Sequence, residues 1–581
     1  MIRKRASTTA VRWTMLLAAV VWLAPPSPGM RAAAGGAPAP TARAALVRLP
    51  FPQDDGTLTP YTFELGYALM TLVYDTLFWR DADGVPQPWL ARAVDTSADG
   101  RELTVHLVDK ARWHDGVPVT AADVAFTLAF VADRPHPRFT PEVSAVERTE
   151  VVDPLTVKIK LRHQAPGFAD QPLADLPILP AHLWEGLSPA ALAPDGLPVG
   201  SGPYRLVARL PGGAYRFEAN ADYFRGAPAV QALEVPIIGD AEETLRTLER
   251  GAVDMLPMNL TTDAATRVDD LGTRVVDGPS YLGTALLFNQ RQPPFDRPEV
   301  RRAVSEALDL TRIARAVEGA VAADRGYVHP ASPWASPKVV HVFDEPAARA
   351  GLAASAIGPV IVLAPDNDPV RLEAGRQVVA ALQRAGARAE LRPVPRRDLS
   401  KAVGEDGSPP SFQVAIWSVP ALASYDPDFL ARLFGTPPAD GSLNYTGYRS
   451  AAFDALAGRI ASTADRGARL AAVTEMLQLL ATDPPAVPLF FPSGRYAYRP
   501  SVYENWVYVK GSGILDKRSF LEAPAVPHRA GRVRAPAGEA PEKSSTGLGP
   551  LGVLAMVAVA VAVVLGVWLA VSSLQNRRRR P

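Results

Sequence analysis

The stretch WHDGVPVTAADV, residues 113–124, has the most specific pattern in the first half of the chain. A tight turn that ends at Gly116 is followed by Thr120, which is placed to cap a helix whose third residue is Asp123. Val124, Leu128 and Val131 then recur at the spacing of a single helical face. The stretch therefore predicts a turn followed by an amphipathic helix.

Alternating strands are predicted on both sides of this helix. Before it, Leu103, Val105 and Leu107 alternate with polar residues after an Asp99-Gly100 turn. After it, the apolar residues of the stretch 155–161 alternate with Thr, Lys and Arg. Strands that surround a helix in this way indicate an α+β arrangement for this part of the chain.

The second half of the chain predicts a different arrangement. A helix begins at Pro298 and carries an apolar stripe. Val360–Leu363 is predicted as a strand, Val370–Ala385 as a helix that ends at Gly386, and Ala387–Val394 as a second strand. Phe412–Trp417 offers a further buried strand. This βαβ pattern predicts a mixed, largely parallel sheet covered by helices.

Composition limits the class of protein. The 581 residues exceed the roughly 250–300 that one hydrophobic core serves, so two or more lobes are expected. With 61 basic and 60 acidic residues the formal charge is +1, and such a chain has no overall field to attract nucleic acid. The absence of cysteine excludes disulfides, thiolate catalysis, cysteine-ligated metals and a lipid-modified cysteine anchor.

Residues 1–34 have the layout of a secretory signal peptide. Basic residues between Arg3 and Arg12 precede the apolar run Trp13–Leu23, which is about half the length that spans a bilayer. Ala32–Ala34 is a candidate cleavage site. The alternative is an uncleaved N-terminal anchor. Both interpretations place the body of the protein outside the cytoplasm.

The C-terminal end predicts a membrane anchor. Residues 550–571 contain no charged residue and are long enough to cross a bilayer as a helix. Residues 572–581 carry the basic cluster Arg577–Arg580, which favours the cytoplasmic side. Residues 523–549 are rich in Pro, Ala, Gly and Ser and are predicted to form a flexible stalk. A buried core helix is the alternative for residues 550–571.

Several motifs, in order along the exported body, resemble the bacterial extracellular solute-binding proteins of family 5, the dipeptide- and oligopeptide-binding proteins of ABC importers. The motifs are Leu58-Thr59-Pro60, Tyr74–Leu77, Trp89–Ala91, residues 113–124, Ile178–Pro180, Gly200–Tyr204, Asn220–Gly226, Gly251–Asp254, and Phe288-Asn289 ahead of Val300–Ala303. The 113–124 stretch is the most specific of them.

The resemblance implies an α/β, two-lobed periplasmic-binding-protein type II fold with an extra small α+β subdomain. Lobe I is then discontinuous: it comprises residues 45–60, 200–276 and 488–522. The small subdomain comprises 61–199 and lobe II comprises 277–487. Hinge strands are expected near Asp277–Phe288 and Ala486–Phe491. Closure of the lobes over a solute would then be recognised by the transporter.

The resemblance also implies how a peptide-like solute is held. Family members that bind peptides hold them as an added strand, and an Asp shortly after a Trp pairs with the peptide's ammonium group. Trp417 corresponds to that Trp, but Pro420 stands where the carboxylate is expected and Asp426 follows later. Either Asp426 supplies the charge, or the ligand carries no free amine at this point. Asp426 also has the simpler interpretation of capping a turn before Pro427.

The remaining candidate ligand contacts are Tyr425, Asp55, Thr57 and Arg396. Tyr425 precedes Asp426, Asp55 and Thr57 lie in the loop before Leu58, and Arg396 follows a predicted strand, where it is placed to bind a carboxylate. Each has a plain structural alternative. Trp417 is equally well explained as a core residue, Asp55 and Thr57 as solvated loop residues, and Arg396 as surface charge.

Two other motifs have only weak chemical interpretations. His114 with Asp115 looks like a metal or acid–base pair, but it belongs to the turn that ends at Gly116. Asp81-Ala82-Asp83-Gly84 begins like a calcium loop, but Arg92 replaces the glutamate that closes such a loop. Both are predicted to be turns, and neither a metal nor another cofactor is expected.

Competing classes are less well supported. The sequence has no Gly-x-Ser-x-Gly, His-Glu-x-x-His or Gly-x-x-x-x-Gly-Lys motif, so it is not expected to be an enzyme. A monomer that serves the permease and ATPase subunits of an ABC importer is expected. A binding protein for a sugar, metal complex or opine, and a sensory receptor subunit, remain as alternatives.

Overall fold

The computed structural model describes residues 44–521 apart from 64, 135, 137, 188–193, 257–261, 270, 406 and 437–442. The predicted signal peptide (1–34), stalk (523–549), transmembrane helix (550–571) and basic tail (572–581) lie outside the described residues. Among the helices within the described ranges, none has the length and apolar character needed to cross a bilayer.

The described chain contains strands and helices over its whole length. The strands are β1 (Ala44–Arg48), β2 (Phe78–Arg80), β3 (Pro86–Pro88), β4 (Ala91–Thr96), β5 (Glu102–Leu107), β6 (Val146–Asp153), β7 (Thr156–Leu161), β8 (Tyr204–Arg209), β9 (Tyr215–Ala219), β10 (Val230–Val235), β11 (Met255–Leu256), β12 (Arg274–Pro279), β13 (Gly283–Phe288), β14 (Val321–Ala322), β15 (Val360–Pro365), β16 (Ala389–Val394), β17 (Val414–Val419), β18 (Ala486–Phe491) and β19 (Ser493–Tyr498).

The helices fall between and after these strands. They are α1 (Tyr67–Val73), α2 (Ala121–Asp133), α3 (Thr140–Val143), α4 (Pro172–Asp175), α5 (Ala181–Trp184), α6 (Ala241–Glu249), α7 (Thr262–Asp269), α8 (Pro298–Glu306), α9 (Leu310–Arg315), α10 (Glu345–Ser355), α11 (Pro369–Arg384), α12 (Arg396–Val403), α13 (Leu422–Tyr425), α14 (Leu430–Phe434), α15 (Ala451–Ser462), α16 (Arg466–Thr482) and α17 (Arg518–Leu521), with 3₁₀ turns at Pro166–Phe168, Pro211–Gly213 and Pro427–Phe429.

Residues 61–199 contain the predicted α+β arrangement. Strands β4, β5, β7 and β6 form an antiparallel sheet in that order, and α2 packs against β6 and β7. The alternation is confirmed, because Leu103, Val105 and Leu107 are all buried. The predicted cap is confirmed as well: the Thr120 N–H donates to the Asp123 carboxylate at 2.7 Å in a capping box.

The largest sheet lies in residues 283–491 and has the order β14-β18-β13-β17-β15-β16. The predicted βαβ unit is confirmed, since β15 and β16 pair in parallel and α11 connects them. The prediction of a largely parallel sheet is wrong. Within this sheet, as far as the structure describes it, β15–β16 and β15–β17 are parallel, and the other three neighbouring pairs are antiparallel. The chain enters this sheet at the start of β13 and leaves it at the end of the adjacent strand β18. Because both points lie at the same end of the sheet, the two strands must run in opposite directions.

Two neighbouring connections join this sheet to a second one. Strands β12 and β19 pair in a three-stranded sheet, and they continue into β13 and β18 across residues 280–282 and 492. Gly278 and Gly494 lie opposite each other at this point, and a Cβ on either one would collide with the Tyr508 ring. Ser280 is also bridged to Gly511. Three chain segments therefore lie side by side where the two sheets meet.

The two faces of the six-stranded sheet carry separate hydrophobic clusters. Leu286 and Ile416 belong to the face covered by α8, α10 and α11. Ala285, Leu287 and Trp417 belong to the opposite face, whose cluster includes residues of α14, α15 and α16. The alternation of strand side chains thus directs Trp417 toward the second cluster.

Candidate ligand-binding site

A cavity of about 190 Å³ lies on the Trp417 face of the six-stranded sheet. Ala285 and Leu287 of β13, Trp417 of β17 and Ala486 of β18 form its floor. The pairing of β13 with β17 sets Ala285 directly opposite Trp417, so the small side chain leaves room beside the large one. The walls are mostly aromatic and aliphatic, which is typical of a small-molecule site.

Two of the predicted ligand contacts meet at this cavity. Trp417 is 8% exposed, and the guanidinium carbon of Arg396 lies 5.4 Å from its ring centroid. Arg396 is the first residue of α12, and Pro395 alone separates it from β16. Tyr445 completes the aromatic wall, with its ring edge-on to Trp417 at 6.0 Å between centroids. Glu405 also lines the cavity and is exposed to solvent.

Tyr425 does not line this cavity. Its hydroxyl donates to the Lys510 carbonyl at 2.7 Å and lies 2.8 Å from the Ser512 hydroxyl oxygen. The Arg80 guanidinium stacks over its ring at 3.9 Å. Tyr425 thus joins three parts of the chain, and its role as a ligand contact remains a prediction.

Asp426 lies in a buried contact with residues distant in sequence. Its carboxylate is 1% exposed and pairs with the Arg469 guanidinium at 2.7 Å. It accepts the Asp428 N–H at 3.1 Å, which confirms the interpretation that Asp426 caps a turn at Pro427. The side chain of Gln171, 255 residues earlier in the chain, donates to it at 3.3 Å. Asp426 does not line the cavity, and no observation assigns it a ligand.

Asp426 is part of a larger set of polar residues that we call the interface network. Its members bridge residues 80–171 and residues 426–469 through ion pairs and hydrogen bonds. They are Arg80, Glu142, Asp170, Gln171, Asp426, Asp428, Arg432 and Arg469.

Burial perturbs the acids of this network. It raises the pKa of Glu142 well above the usual range, with the nearby Asp175 adding to the effect and Arg432 opposing it. Burial and the neighbouring Asp426 also raise the pKa of Asp428 to about 7, although Arg469 and Arg432 act in the opposite direction. The network is therefore rich in carboxyl groups that resist ionisation.

Asp55 and Thr57 lie apart from the cavity in a tightly bonded loop. The Asp55 carboxylate is buried and accepts the backbone N–H groups of Leu65, at 2.8 Å, and of Gly66. The Thr57 hydroxyl lies 3.3 Å from that of Thr62. These bonds hold the loop in shape, and a ligand role for either residue remains a prediction.

The two weak motifs are turns, as expected. The Gly116 N–H donates to the Trp113 carbonyl at 2.9 Å, and the Asp81 carboxylate accepts the Asp83 and Val85 N–H groups. Burial lowers the pKa of His114 to about 4, so the ring is neutral at pH 7. No cluster of His, Asp and Glu suited to a metal occurs in the part of the chain that the structure describes.

Sequence reasoning missed Glu405, Tyr445, Gln171 and Arg469. The first two lie in the connections after α12 and α14, where no periodic pattern points to a site. Gln171 and Arg469 reach Asp426 from 255 and 43 residues away. Contacts over such separations leave no local signal in a single sequence.

Residues 85–441 match the model of the bacterial extracellular solute-binding proteins, family 5. A Brucella ovis protein, whose name assigns it provisionally to peptide binding for an ABC transporter, is 27% identical over 320 residues, covering 53% of this chain and 59% of that protein. The matched region thus spans less than two thirds of that curated relative.

Two solved structures have the same fold. The oligopeptide-binding protein AppA of Bacillus subtilis, in complex with a nonapeptide, aligns with a TM-score of 0.70 at 20% identity, over 82% of this chain and 98% of its own. The binding protein AgaA of A. tumefaciens R10, in complex with agropinic acid, aligns with a TM-score of 0.70 at 22% identity, over 83% and 99%. Both are two-lobed α/β periplasmic binding proteins. Because the family match covers more than half of the sequence, the chain belongs to the bacterial extracellular solute-binding proteins of family 5, which are binding proteins and not enzymes.

Proposed function

We propose that this protein captures a peptide-like solute between two hinged lobes and delivers it to the permease and ATPase subunits of an ABC importer. The observation that carries the choice of solute is the aromatic cavity in which Trp417 and Arg396 meet, all of whose lining residues belong to the proposed lobe II. An apolar wall with one guanidinium at its rim suits a solute that has an apolar group next to a carboxylate or carbonyl. A peptide has both groups.

The hinge is proposed at the meeting point of the two sheets. Only residues 280–282 and 492 separate β12 from β13 and β18 from β19. Short connections of this kind can absorb a change of backbone angles while the sheets on either side stay rigid. The predicted boundaries of lobe I, the small subdomain and lobe II are part of this proposal.

We also propose that the protein is exported and held at the membrane by residues 550–571, with its body on the extracytoplasmic face and residues 572–581 in the cytoplasm. The support comes from the sequence: a charge-free apolar run followed by four consecutive arginines. Protease added to intact cells is expected to release the body from the membrane. A body that stays protected would contradict this topology.

A non-peptide solute is the second candidate. AgaA, whose structure contains agropinic acid, aligns as well as the nonapeptide complex of AppA does. The overall fold therefore does not distinguish a peptide from an opine, and only the chemistry of the cavity favours the peptide.

The test compares two neighbouring arginines. Arg396→Gln changes the cavity, whereas Arg397→Gln changes an exposed position in the same helix turn. The full chain is screened by thermal shift against pools of short peptides, oligosaccharides, opines and metal complexes. We expect peptides to stabilise the unmodified protein and the Arg397 variant, and to stabilise the Arg396 variant less, because a bound guanidinium contact is lost. Stabilisation by sugars, opines or metal complexes alone would contradict the peptide proposal.

A further inference from the structure

The cavity on the Trp417 face is too small to enclose a whole peptide-like solute. Its volume is about 190 Å³, whereas sites that enclose most of a small-molecule ligand measure about 300–1,000 Å³. An apolar protein cavity of about 150 Å³ holds one benzene molecule. The cavity therefore has room for one six-membered ring of a solute, and the rest of the solute must lie outside it.

The inner part of the cavity is suited to such a ring. Four aromatic residues line it: Tyr327, Trp417, Phe434 and Tyr445. The rings of Tyr327 and Phe434 meet edge to face, with 4.9 Å between their centroids, so they present both faces and edges to a guest ring. The Tyr327 hydroxyl donates to the Ala486 carbonyl at 2.5 Å. Its bond to the chain leaves a guest mainly apolar contacts with this wall.

The charged groups of the cavity are confined to its rim. Of the described residues that line it, only Arg396 and Glu405 carry a charge; Arg396 is half-buried and Glu405 is exposed. The hydroxyl groups of Ser418 and Thr446 are already hydrogen-bonded to other side chains of this chain. A charged side chain that entered beyond the rim would lose its hydration and find no opposite charge inside.

An alanine in a central strand contributes to the size of the cavity. Ala285 lies in β13, which has a neighbouring strand on each side, and it is directly opposite Trp417. Such positions favour β-branched and aromatic residues. A larger residue at position 285 would fill space beside the indole that the alanine leaves open.

We propose that the cavity is a subsite for one six-membered aromatic ring, so that the protein selects peptide-like solutes with a phenylalanine side chain, and that Ala285 sets the size of the side chain it accepts. The inference rests on the proposed function and names the class of solute. The bicyclic indole of a tryptophan side chain exceeds the space, an alanine side chain leaves it unfilled, and a lysine side chain loses its hydration there.

The test is a competition among pentapeptides that differ at one position. The full chain is given an equimolar mixture of Ala-Ala-Xaa-Ala-Ala, in which Xaa is Phe, Ala, Trp or Lys, and the captured peptides are quantified by mass spectrometry. We expect the Phe peptide to be captured at least about tenfold better than the Ala peptide, because its ring is removed from water. It should also be captured better than the Trp and Lys peptides.

A smaller preference for the Phe peptide over the Ala peptide, or a preference for Trp or Lys over Phe, would overturn the inference and leave the proposed function standing. Capture of no member of the set would also overturn the inference. If pools of short peptides then fail to stabilise the protein as well, the proposed function is overturned with it.

A variant that reduces the cavity tests the role of Ala285. Ala285→Val is expected to lower capture of the Phe peptide relative to the Ala peptide about tenfold, because the added methyl groups take up space beside Trp417. Ala364→Val is the matched control: it adds the same groups at a buried strand position on the opposite face of the sheet, where the capture ratio should not change. An unchanged ratio in a folded Ala285→Val would overturn the inference.

A variant that enlarges the cavity covers the case in which Ala285→Val does not fold. Leu433→Ala removes part of the wall on α14 and is expected to raise capture of the Trp peptide relative to the Phe peptide about tenfold. Leu430→Ala, at a buried position of the same helix that does not line the cavity, is its control. A folded Leu433→Ala that keeps the Trp-to-Phe ratio of the unmodified protein would overturn the inference.

Discussion

Two buried ionic sites of this protein differ in their balance of charge. Lys517 pairs with Asp75 at 2.7 Å, and both side chains are completely buried. The Asp75 carboxylate also accepts from the indole of Trp89, at 2.9 Å, and from the hydroxyl groups of Tyr223 and Ser201. The Asp75 carboxylate thus has one cation and three neutral donors as its hydrogen-bond partners.

The interface network is not balanced in this way. It contains four carboxyl groups and three guanidinium groups, and burial raises the pKa values of Glu142, Asp170 and Asp428. We therefore expect the Lys517–Asp75 pair to stabilise the fold strongly. We expect the interface network to hold two parts of the chain together with a strength that depends on pH.

Breaking the balanced site is expected to have the largest effect. Lys517→Met leaves Asp75 buried and unpaired, and should lower the free energy of unfolding by about 3–5 kcal/mol. Asp75→Asn/Lys517→Met removes both charges and should cost clearly less. Urea unfolding measures both. Lys158→Met, at a half-exposed pair with Glu102, is the control and should cost less than about 1 kcal/mol. A Lys517 variant as stable as this control would contradict the comparison.

Crowding the interface network is expected to have an intermediate effect. Gly167→Ala places a methyl group against the Asp426 carboxylate and should lower the free energy of unfolding by about 1–3 kcal/mol. Gly186→Ala, where an added Cβ meets nothing within 4 Å, is the matched control in the same subdomain. Equal stability of the two variants would show that Asp426 has room beside it.

Much of the fold was predictable from local patterns, and most of the site was not. The alternation at Leu103, Val105 and Leu107 and the Thr120 cap are properties of neighbouring residues, so the sequence alone predicts them. The direction of β13 and β18 depends on where the chain enters and leaves a sheet, which no local pattern records.

The candidate site shows the same limit. Trp417 and Arg396 were predicted one by one and meet at the cavity only because β17 and α12 are brought together by tertiary packing. Asp426 was singled out for its charge, but its partner Arg469 lies 43 residues further along the chain. The Lys517–Asp75 pair spans 442 residues and left no signal at all.

The smallest expected effect concerns pH. The pKa of Asp428 is raised from 3.8 to about 7 by burial and by Asp426, with Arg469, Arg432 and His163 opposing the rise. The folded state therefore favours the protonated carboxyl. The contribution of Asp428 to the free energy of unfolding is fully present below about pH 4 and is lost as the pH rises through 7. Because Asp428 is half-buried, we expect a loss of about 1–2 kcal/mol between these limits.

Asp428→Asn should abolish this part of the pH dependence. Urea unfolding of the variant and of the unmodified protein is compared between pH 4 and 8. Asp133→Asn, at an aspartate whose side chain is 83% exposed, is the control and should leave the pH profile unchanged. Parallel profiles for all three proteins would show that Asp428 does not titrate in this range.

The central claim is that two hinged lobes close over a solute. The chain has no cysteine, so spin labels can be attached at Val152→Cys in the proposed small subdomain and Ala455→Cys in the proposed lobe II, both at exposed positions. Pulsed electron–electron double resonance then measures the distance between the labels with and without the pools of short peptides. We predict a broad distribution that becomes a single shorter distance when peptides are added. A distribution that is unchanged by peptides, by opines and by every other solute tested would contradict capture by closure.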